Sequence, residues 1–247
     1  MQYQTEAVVV ALRDFGEADK MVTLFSREYG KITAFAYGAR RPRSRLAGAM
    51  QLFTHLEVSL AGGKNYDTIK QCEILQPFRF IQEDLNRLAY GMFMAELLSE
   101  LCPERQPEPG VFDLFIEVLQ VLEMRNPRIV SMAFAWQILK ISGFLPEFGQ
   151  CAVCGKMLVE QGFFHCDSGG CLCSQCNSTY SAGDDGKVFE LIQRLLNLNW
   201  QAPAAFSVKG NVLVRTEKVL MDYLLHCLDK PLKSTDFIKK VSYVHMN

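Results

Sequence analysis

The stretch from Cys151 to Cys176 restricts this chain more than any other: it opens C-A-V-C-G and closes C-S-Q-C. Cys151 with Cys154, and Cys173 with Cys176, form two C-x-x-C knuckles, and the gap between them falls within the range of four-thiolate zinc sites. Two intervening residues let a tight turn aim both sulfurs at one ion, and Gly155 suits the left-handed turn after the first pair. Four thiolates leave no open coordination position, so such a Zn2+ ion is structural and activates no water. Cys166 and Cys171 crowd the same segment, and on sequence grounds either of them, or His165, can replace a knuckle member. A redox pair is the weaker reading, because Cys151 follows the helix stop Gly143-Phe144-Leu145-Pro146 instead of a strand.

The N-terminus shows neither a basic n-region nor an apolar h-region, so a cytoplasmic location with reduced thiols is expected, and a disulfide framework is not. No run approaches the roughly 20 apolar residues that span a bilayer. At 247 residues the chain can bury a substantial core without staples. Its net charge of −1 excludes a globally basic nucleic-acid binder, so the distribution of charge decides more than the total.

Residues 1–78 read as strands. Gln4 to Leu12, Met21 to Phe25, Lys31 to Tyr37, Thr54 to Leu60 and Thr68 to Leu75 are β-branched or alternating runs, with turn signals at Gly16, Gly30, Gly38 and Gly62-Gly63. Five short strands suit a small closed barrel, and an OB-fold is the leading form. Beyond Pro77 the pattern is helical: Asp84 to Pro103, a helix through Leu114, Val118 and Leu122, one capped by Asn126-Pro127 that ends near Gly143, then Lys187 to Leu198, Thr216 to Leu228 and Ser234 to Val241. The expected architecture is α+β: a barrel over 1–78, an all-α domain over 79–150 and 180–247, and a zinc module over 151–179 embedded in it.

Arg40, Arg41, Arg43 and Arg45 fall within the segment Gly38-Ala39-Arg40-Arg41-Pro42-Arg43-Ser44-Arg45, and no acidic residue lies between Glu28 and Glu57. Gly38 and Pro42 make this a loop, and clustered guanidinium groups short of carboxylate partners suit phosphates. Lys20 and Lys31 join the candidate DNA-binding set, with Arg27, Lys64 and Lys70 nearby, and Phe25, Tyr29, Phe35, Tyr37 and Tyr66 offer rings for stacking bases. Signals for catalysis are weak. His55, His165, His226 and His245 form no H-E-x-x-H pair, Gly62-Gly63-Lys64-Asn65 is no phosphate loop, and no G-x-S-x-G occurs. Asp14, Glu17 and Asp19 read as a solvated turn paired with Arg13 and Lys20, not a nuclease metal site. A zinc-containing nucleic-acid-binding regulator is the alternative, disfavoured because the basic cluster is on a loop and no helix-turn-helix pattern accompanies it.

These residues resemble the RecO family of bacterial recombination and repair mediators. The resemblance runs through Gly16-Glu17-Ala18-Asp19, Thr23-Leu24, Gly30-Lys31, the segment Gly38 to Leu46, Phe53, Leu56 and Gln71-Cys72-Glu73 to Gly169-Gly170 and the knuckles. It implies binding of single- and double-stranded DNA, annealing of complementary strands, and help in loading RecA, with RecR as partner and the acidic, phenylalanine-ended tail of single-strand-binding protein as another. It carries the DNA-contact role onto Arg40, Arg41, Arg43 and Arg45. It implies a protein without enzymatic activity, membrane contact or small-molecule substrate, working in the bacterial cytoplasm at the nucleoid.

Overall fold

Alternation in the first third of the chain folds as β1 (Gln2–Phe15), β2 (Asp19–Ser26), β3 (Gly30–Ala36), β4 (His55–Ala61) and β5 (Asp67–Gln76). In this computed structural model, which describes residues 1–158, 162–177, 185–201 and 207–244, the strands close into an OB-fold barrel in the order β1-β2-β3-β5-β4. Residues 159–161 and 178–179 of the expected zinc module lie outside the described residues, as do 180–184, 202–206 and 245–247, His245 included. β1 is longer than its apolar run suggests because it serves two neighbours. Residues 2–8 pair with β4, residues 7–15 pair with β2, and a register shift between Val9 and Ala11 supplies the bend. One set of alternating side chains, among them Val9, Val22, Leu24, Ile32, Leu56, Val58 and Leu60, fills the interior with no exposed surface.

The weak seam is β3 against β5, parallel and only two residue pairs long, Ala34 with Asp67 and Phe35 with Thr68. The segment after Pro103 lies along the rest of β3: Glu104 bridges Lys31, and the Arg105 amide donates to the Lys31 carbonyl at 3.0 Å. Gly30 permits this approach. Its φ is +65°, and a Cβ there would stand 1.9 Å from the Gln106 carbonyl oxygen. Arg105, itself left-handed at φ 61°, sends its guanidinium 2.8 Å from the fully buried Asp67 carboxylate. Asp67 also accepts from the Tyr3 hydroxyl and from the Gly63 amide at 3.0 Å. Burial alone would raise the Asp67 pKa, but the bonds from Arg105, Tyr3 and Gly63 outweigh it and hold the carboxyl below its ordinary value. The Tyr3 hydroxyl is pushed up to about 12, by burial first and then by the Asp67 bond.

The helices are α1 (Arg79–Gln82), α2 (Leu85–Leu101), α3 (Pro109–Val121), α4 (Pro127–Ile141), α5 (Asp185–Leu196), α6 (Gly210–Leu228) and α7 (Ser234–Val244). Their starts follow capping chemistry: Asp84 accepts from the Arg87 amide at 2.7 Å, Pro109 opens α3, and Asn126 accepts from the Arg128 amide at 3.0 Å. None of the described helices is long and apolar enough to cross a membrane. The chain divides into two compact units, Met1–Ser131 with Lys233–Asn247, and Met132–Leu232. In the first, Phe112 of α3 packs on Phe25 of β2 with centroids 6.2 Å apart, and Glu96 of α2 accepts from the Lys233 and Ser234 amides that open α7, at 2.9 and 2.8 Å. In the second, Gln137 accepts from Trp200 Nε1 at 2.7 Å and donates to the Leu195 carbonyl at the end of α5, at 3.0 Å. Trp136 and Tyr223 stack beside it at 6.4 Å.

Two outcomes follow. Because the folded Asp67 pKa is depressed, its stabilisation is complete above the unfolded carboxyl pKa of about 4 and is lost as pH falls through the lower folded value. Urea midpoints measured from pH 7 to pH 2 will show that loss in the wild type, while Asp67→Asn abolishes that component and lowers stability at pH 7 by about 3 kcal/mol. Gly30→Ala will cost at least about 2 kcal/mol in the same assay, from the left-handed φ and from the carbonyl in the way.

Candidate nucleic-acid interface and metal centre

The arginine loop belongs to the β3–β4 connection, residues 37–54, and is a chain of turns. Arg41 donates its amide to Gly38 O and Ser44 to Arg41 O, both at 3.0 Å, and Ala47 donates to Ser44 O at 3.2 Å. Gly38 takes φ +69°, and Pro42 sits at the second position of its turn, where its fixed φ is preorganised. Ala39, Ala49 and Met50 are buried in the barrel core cluster, with Leu46 packed against it, so the connection plugs one end of the barrel.

The base of the loop is stitched to the β1–β2 turn. Asp19 accepts from the Gly38 amide at 2.7 Å, the Arg40 amide donates to Ala18 O at 2.9 Å, and the Arg40 side chain reaches Gly16 O at 3.0 Å and Asp14 Oδ2 at 3.4 Å. The acidic turn is therefore paired with the arginine loop, where the sequence suggested Arg13 and Lys20 as its partners. Lys20 instead donates to Met50 O at 3.2 Å, and Arg13 lies against the Met21 sulfur. Arg41, Arg43 and Arg45 are exposed, and among the described residues no ion pair or side-chain hydrogen bond engages their guanidinium groups. Lys31 stands at the opposite end of β3, its ammonium 2.5 Å from the Ser99 carbonyl in the last turn of α2.

In the second unit, β6 (Phe163–His165) and β7 (Gly170–Leu172) form a hairpin that carries the chain into the second knuckle. Gly170 is required there, since a Cβ would lie 2.6 Å from Glu147 O, the acceptor of the Cys171 amide. Gly155 turns the first knuckle at φ +72° and donates its amide to Cys151 O at 2.8 Å. The sulfurs of Cys151, Cys154, Cys173 and Cys176 all lie within 4.8 Å of one another, with Cys154 and Cys173 at 3.7 Å. Four sulfurs at 2.3 Å from one tetrahedral ion would be about 3.8 Å apart, so the donor set and spacing fit a zinc module. The amides of Cys154 and then Cys173 pull the Cys151 thiol down to about 6, and the Cys176 amide lowers Cys173 as well. At Cys151 and Cys173 these backbone donors favour thiolates, the form a metal takes, whereas the neighbouring sulfurs of Cys154 and Cys173 push the Cys176 thiol up to about 12. His165 bonds Ser168 at 3.0 Å, and neither it, Cys166 nor Cys171 joins the group of four.

Two family models divide the chain between them: recombination protein O N terminal matches residues 1–78, and recombination protein O C terminal matches residues 82–236. The chain belongs to the RecO family. Curated relatives named DNA repair protein RecO come from Pelotomaculum thermopropionicum (33% identical, covering 96% of this chain and 94% of the relative), Symbiobacterium thermophilum (34%, 96% and 96%) and Caldanaerobacter subterraneus subsp. tengcongensis (31%, 97% and 98%). Membership in the RecO family places the protein in DNA repair and recombination.

Within this RecO chain the five rings offered by the sequence separate. Phe25 is wholly buried, Tyr29 packs on Tyr3 at 4.4 Å, and Phe35, Tyr37 and Tyr66 cluster on the outside of the barrel. Phe15 joins that cluster from beyond Leu12, where the apolar strand signal in the sequence ends. Its alternation with Arg13 and Ala11 was the available clue. For the metal centre, elemental analysis will find one thiophilic divalent ion per chain. Cys151→Ser and Cys173→Ser will each abolish its retention, whereas Cys166→Ser and Cys171→Ser will retain it. Affinity will fall as pH is lowered, because protons compete for the thiolates.

Proposed function

We propose that this protein is a non-enzymatic mediator of homologous recombination in the bacterial cytoplasm. It binds single- and double-stranded DNA, anneals complementary strands, and assists RecA loading with RecR on strands coated by single-strand-binding protein. The observation that carries the reading is the trio of exposed, unpaired guanidinium groups of Arg41, Arg43 and Arg45 on a loop pinned by Ala39 and Met50. Annealing needs no bond-making residue. It needs a surface that neutralises two backbones so that bases can meet, and phosphate contacts supply that without reading sequence. Family membership supports the repair role, and the reading includes barrel, helical and zinc divisions at 1–78, 79–150 with 180–247, and 151–179. The zinc is structural in it.

For the tail of single-strand-binding protein, support comes from α6. Val214 and Leu225 are exposed on one stripe of that helix, with exposed Lys218 between them. An acidic, apolar-ended peptide needs this combination.

The test is oligonucleotide binding and annealing across a salt series. Each phosphate contact to a single strand contributes about −0.7 to the slope of log K against log salt, so Arg41→Ala/Arg43→Ala/Arg45→Ala will flatten the slope by about 2 and depress annealing at 100 mM salt or thereabouts by an order of magnitude or more. Arg40→Ala will change the slope least, since Asp14 and Gly16 already occupy that side chain. An unchanged slope in the triple variant, with circular dichroism showing it folded, would move the DNA surface elsewhere.

A further inference from the structure

Phosphate contacts do not distinguish an unpaired strand from a duplex. A second surface beside the arginine loop can. β3 places Ile32, Ala34 and Ala36 inside the barrel and turns Thr33 and Phe35 outward, so Phe35 stands in a cross-strand row with Met21 of β2 and Arg13 of β1. Three more rings surround it: Phe15 at 4.9 Å, Tyr66 at 5.5 Å edge-on, and Tyr37 at 5.7 Å with planes 20° apart. Phe15, Tyr37 and Tyr66 are 47%, 56% and 43% exposed. Single exposed aromatics are ordinary, but a contiguous group held open to water marks a binding surface.

We propose that Phe15, Phe35, Tyr37 and Tyr66 form a stacking subsite for the unpaired bases of single-stranded DNA. The inference rests on the DNA-binding reading above and adds the recognition of strand state. Tyr37 directly precedes Gly38, so the rings continue into the arginine loop, and a strand whose phosphates lie on Arg41 and Arg43 presents its bases alongside them. From Tyr66 a groove of about 370 Å³ runs past Arg13, Met21, Thr23 and Thr33 to Glu104. Arg13 suits a phosphate at its near end, while Glu104, which accepts from the Thr33 hydroxyl at 3.4 Å, repels one at the far end. Its other lining residues, Ala11, Leu12, Met21, Thr23, Thr33 and Tyr66, carry no charge, which suits a neutral base. Bases of a duplex are stacked on each other and offer no free face, so only an unpaired strand gains from the rings. Stacking also leaves the pairing edges of a base open, which is the state an annealing partner must find.

The experiment compares a normal single strand with an abasic strand of equal length, which keeps the phosphates and removes the bases. The proteins are the full-length wild type, Phe15→Ser/Tyr37→Ser/Tyr66→Ser, the ring-retaining Tyr37→Phe/Tyr66→Phe, and the arginine-loop triple variant, each checked for folding by circular dichroism. Wild type will prefer the normal strand by roughly ten- to a hundredfold, the serine variant will lose most of that preference, and the phenylalanine variant will keep it. The arginine variant will weaken on both strands with their ratio preserved. If the serine variant retains the wild-type preference, or wild type shows none, the stacking subsite is wrong while the arginine loop stands. If wild type binds neither strand, both readings fall together.

Discussion

A five-stranded barrel closed on one side by only two residue pairs depends on something besides its ladder, and here that is the buried carboxylate of Asp67. The carboxylate sits on the first residue of β5, where the parallel contact with β3 begins. A charge buried there is tolerable only when its lone pairs are filled, and Arg105, Tyr3 and Gly63 fill them from three separate segments. Tyr3 lies at the start of β1, Gly63 in the β4–β5 turn, and Arg105 in the segment beyond α2, so one anion fixes the ends of strands that share no ladder. Gly30 belongs to the same device, since only a residue without a Cβ lets the Glu104–Gln106 segment run against β3.

At the other end of β3, the arginine loop takes its definition from the barrel core and the β1–β2 connection. The loop leaves Ala36 and returns buried Ala39, Ala49 and Met50 to the barrel core before β4 begins. Its charge is divided by use. Arg40 neutralises Asp14, and the Gly38 amide satisfies Asp19, so the two carboxylates that flank the β1–β2 turn are consumed in anchoring the loop and do not compete for its tip. A net charge of −1 is thus compatible with an electropositive tip, because acidic residues cancel the basic ones that hold structure and leave Arg41, Arg43 and Arg45 uncompensated.

Much of this was legible in the sequence wherever one local rule decided the outcome. Strand alternation, the Asn126 cap, the C-x-x-C spacing and the Gly-Pro punctuation of the loop each act within a few residues. What sequence hid was pairing across long separations. Nothing near Lys31 predicts that its ammonium will cap the end of α2 at Ser99, and nothing near Asp14 predicts Arg40. The β1 extension through Phe15 was hidden for a related reason: beyond Val8 the strand keeps β2 but loses β4, and past the bulge Ala11, Arg13, Asp14 and Phe15 are exposed, so apolar content stops reporting the strand. The choice of the fourth sulfur was open until the hairpin β6–β7 set Cys171 inside a strand and Cys173 at its exit.

The four-cysteine cluster answers a different physical shortage. Around the knuckles the local core consists of Cys151, Leu172 and Cys173, with Leu158 and Cys176 packed against it, and its hairpin has strands of three residues. A core of that size and a two-stranded ribbon of that length hold little by burial, although Phe164 of β6 adds ring contacts to Phe148 and Tyr223 at 6.3 and 5.6 Å. Here the residues that make up the small core are largely the ligands themselves, so cross-linking and packing are supplied by the same side chains. An ion held by all four sulfurs would tie residues 151–154 to 173–176 and enclose the hairpin between them. The barrel closes its weak seam with the buried Asp67 carboxylate and the Arg105 guanidinium, and the knuckle segment gathers four sulfurs, those of Cys151 and Cys173 buried, around a site that fits a cation. In both cases side chains distant in sequence converge on one point, which is what makes each junction specific.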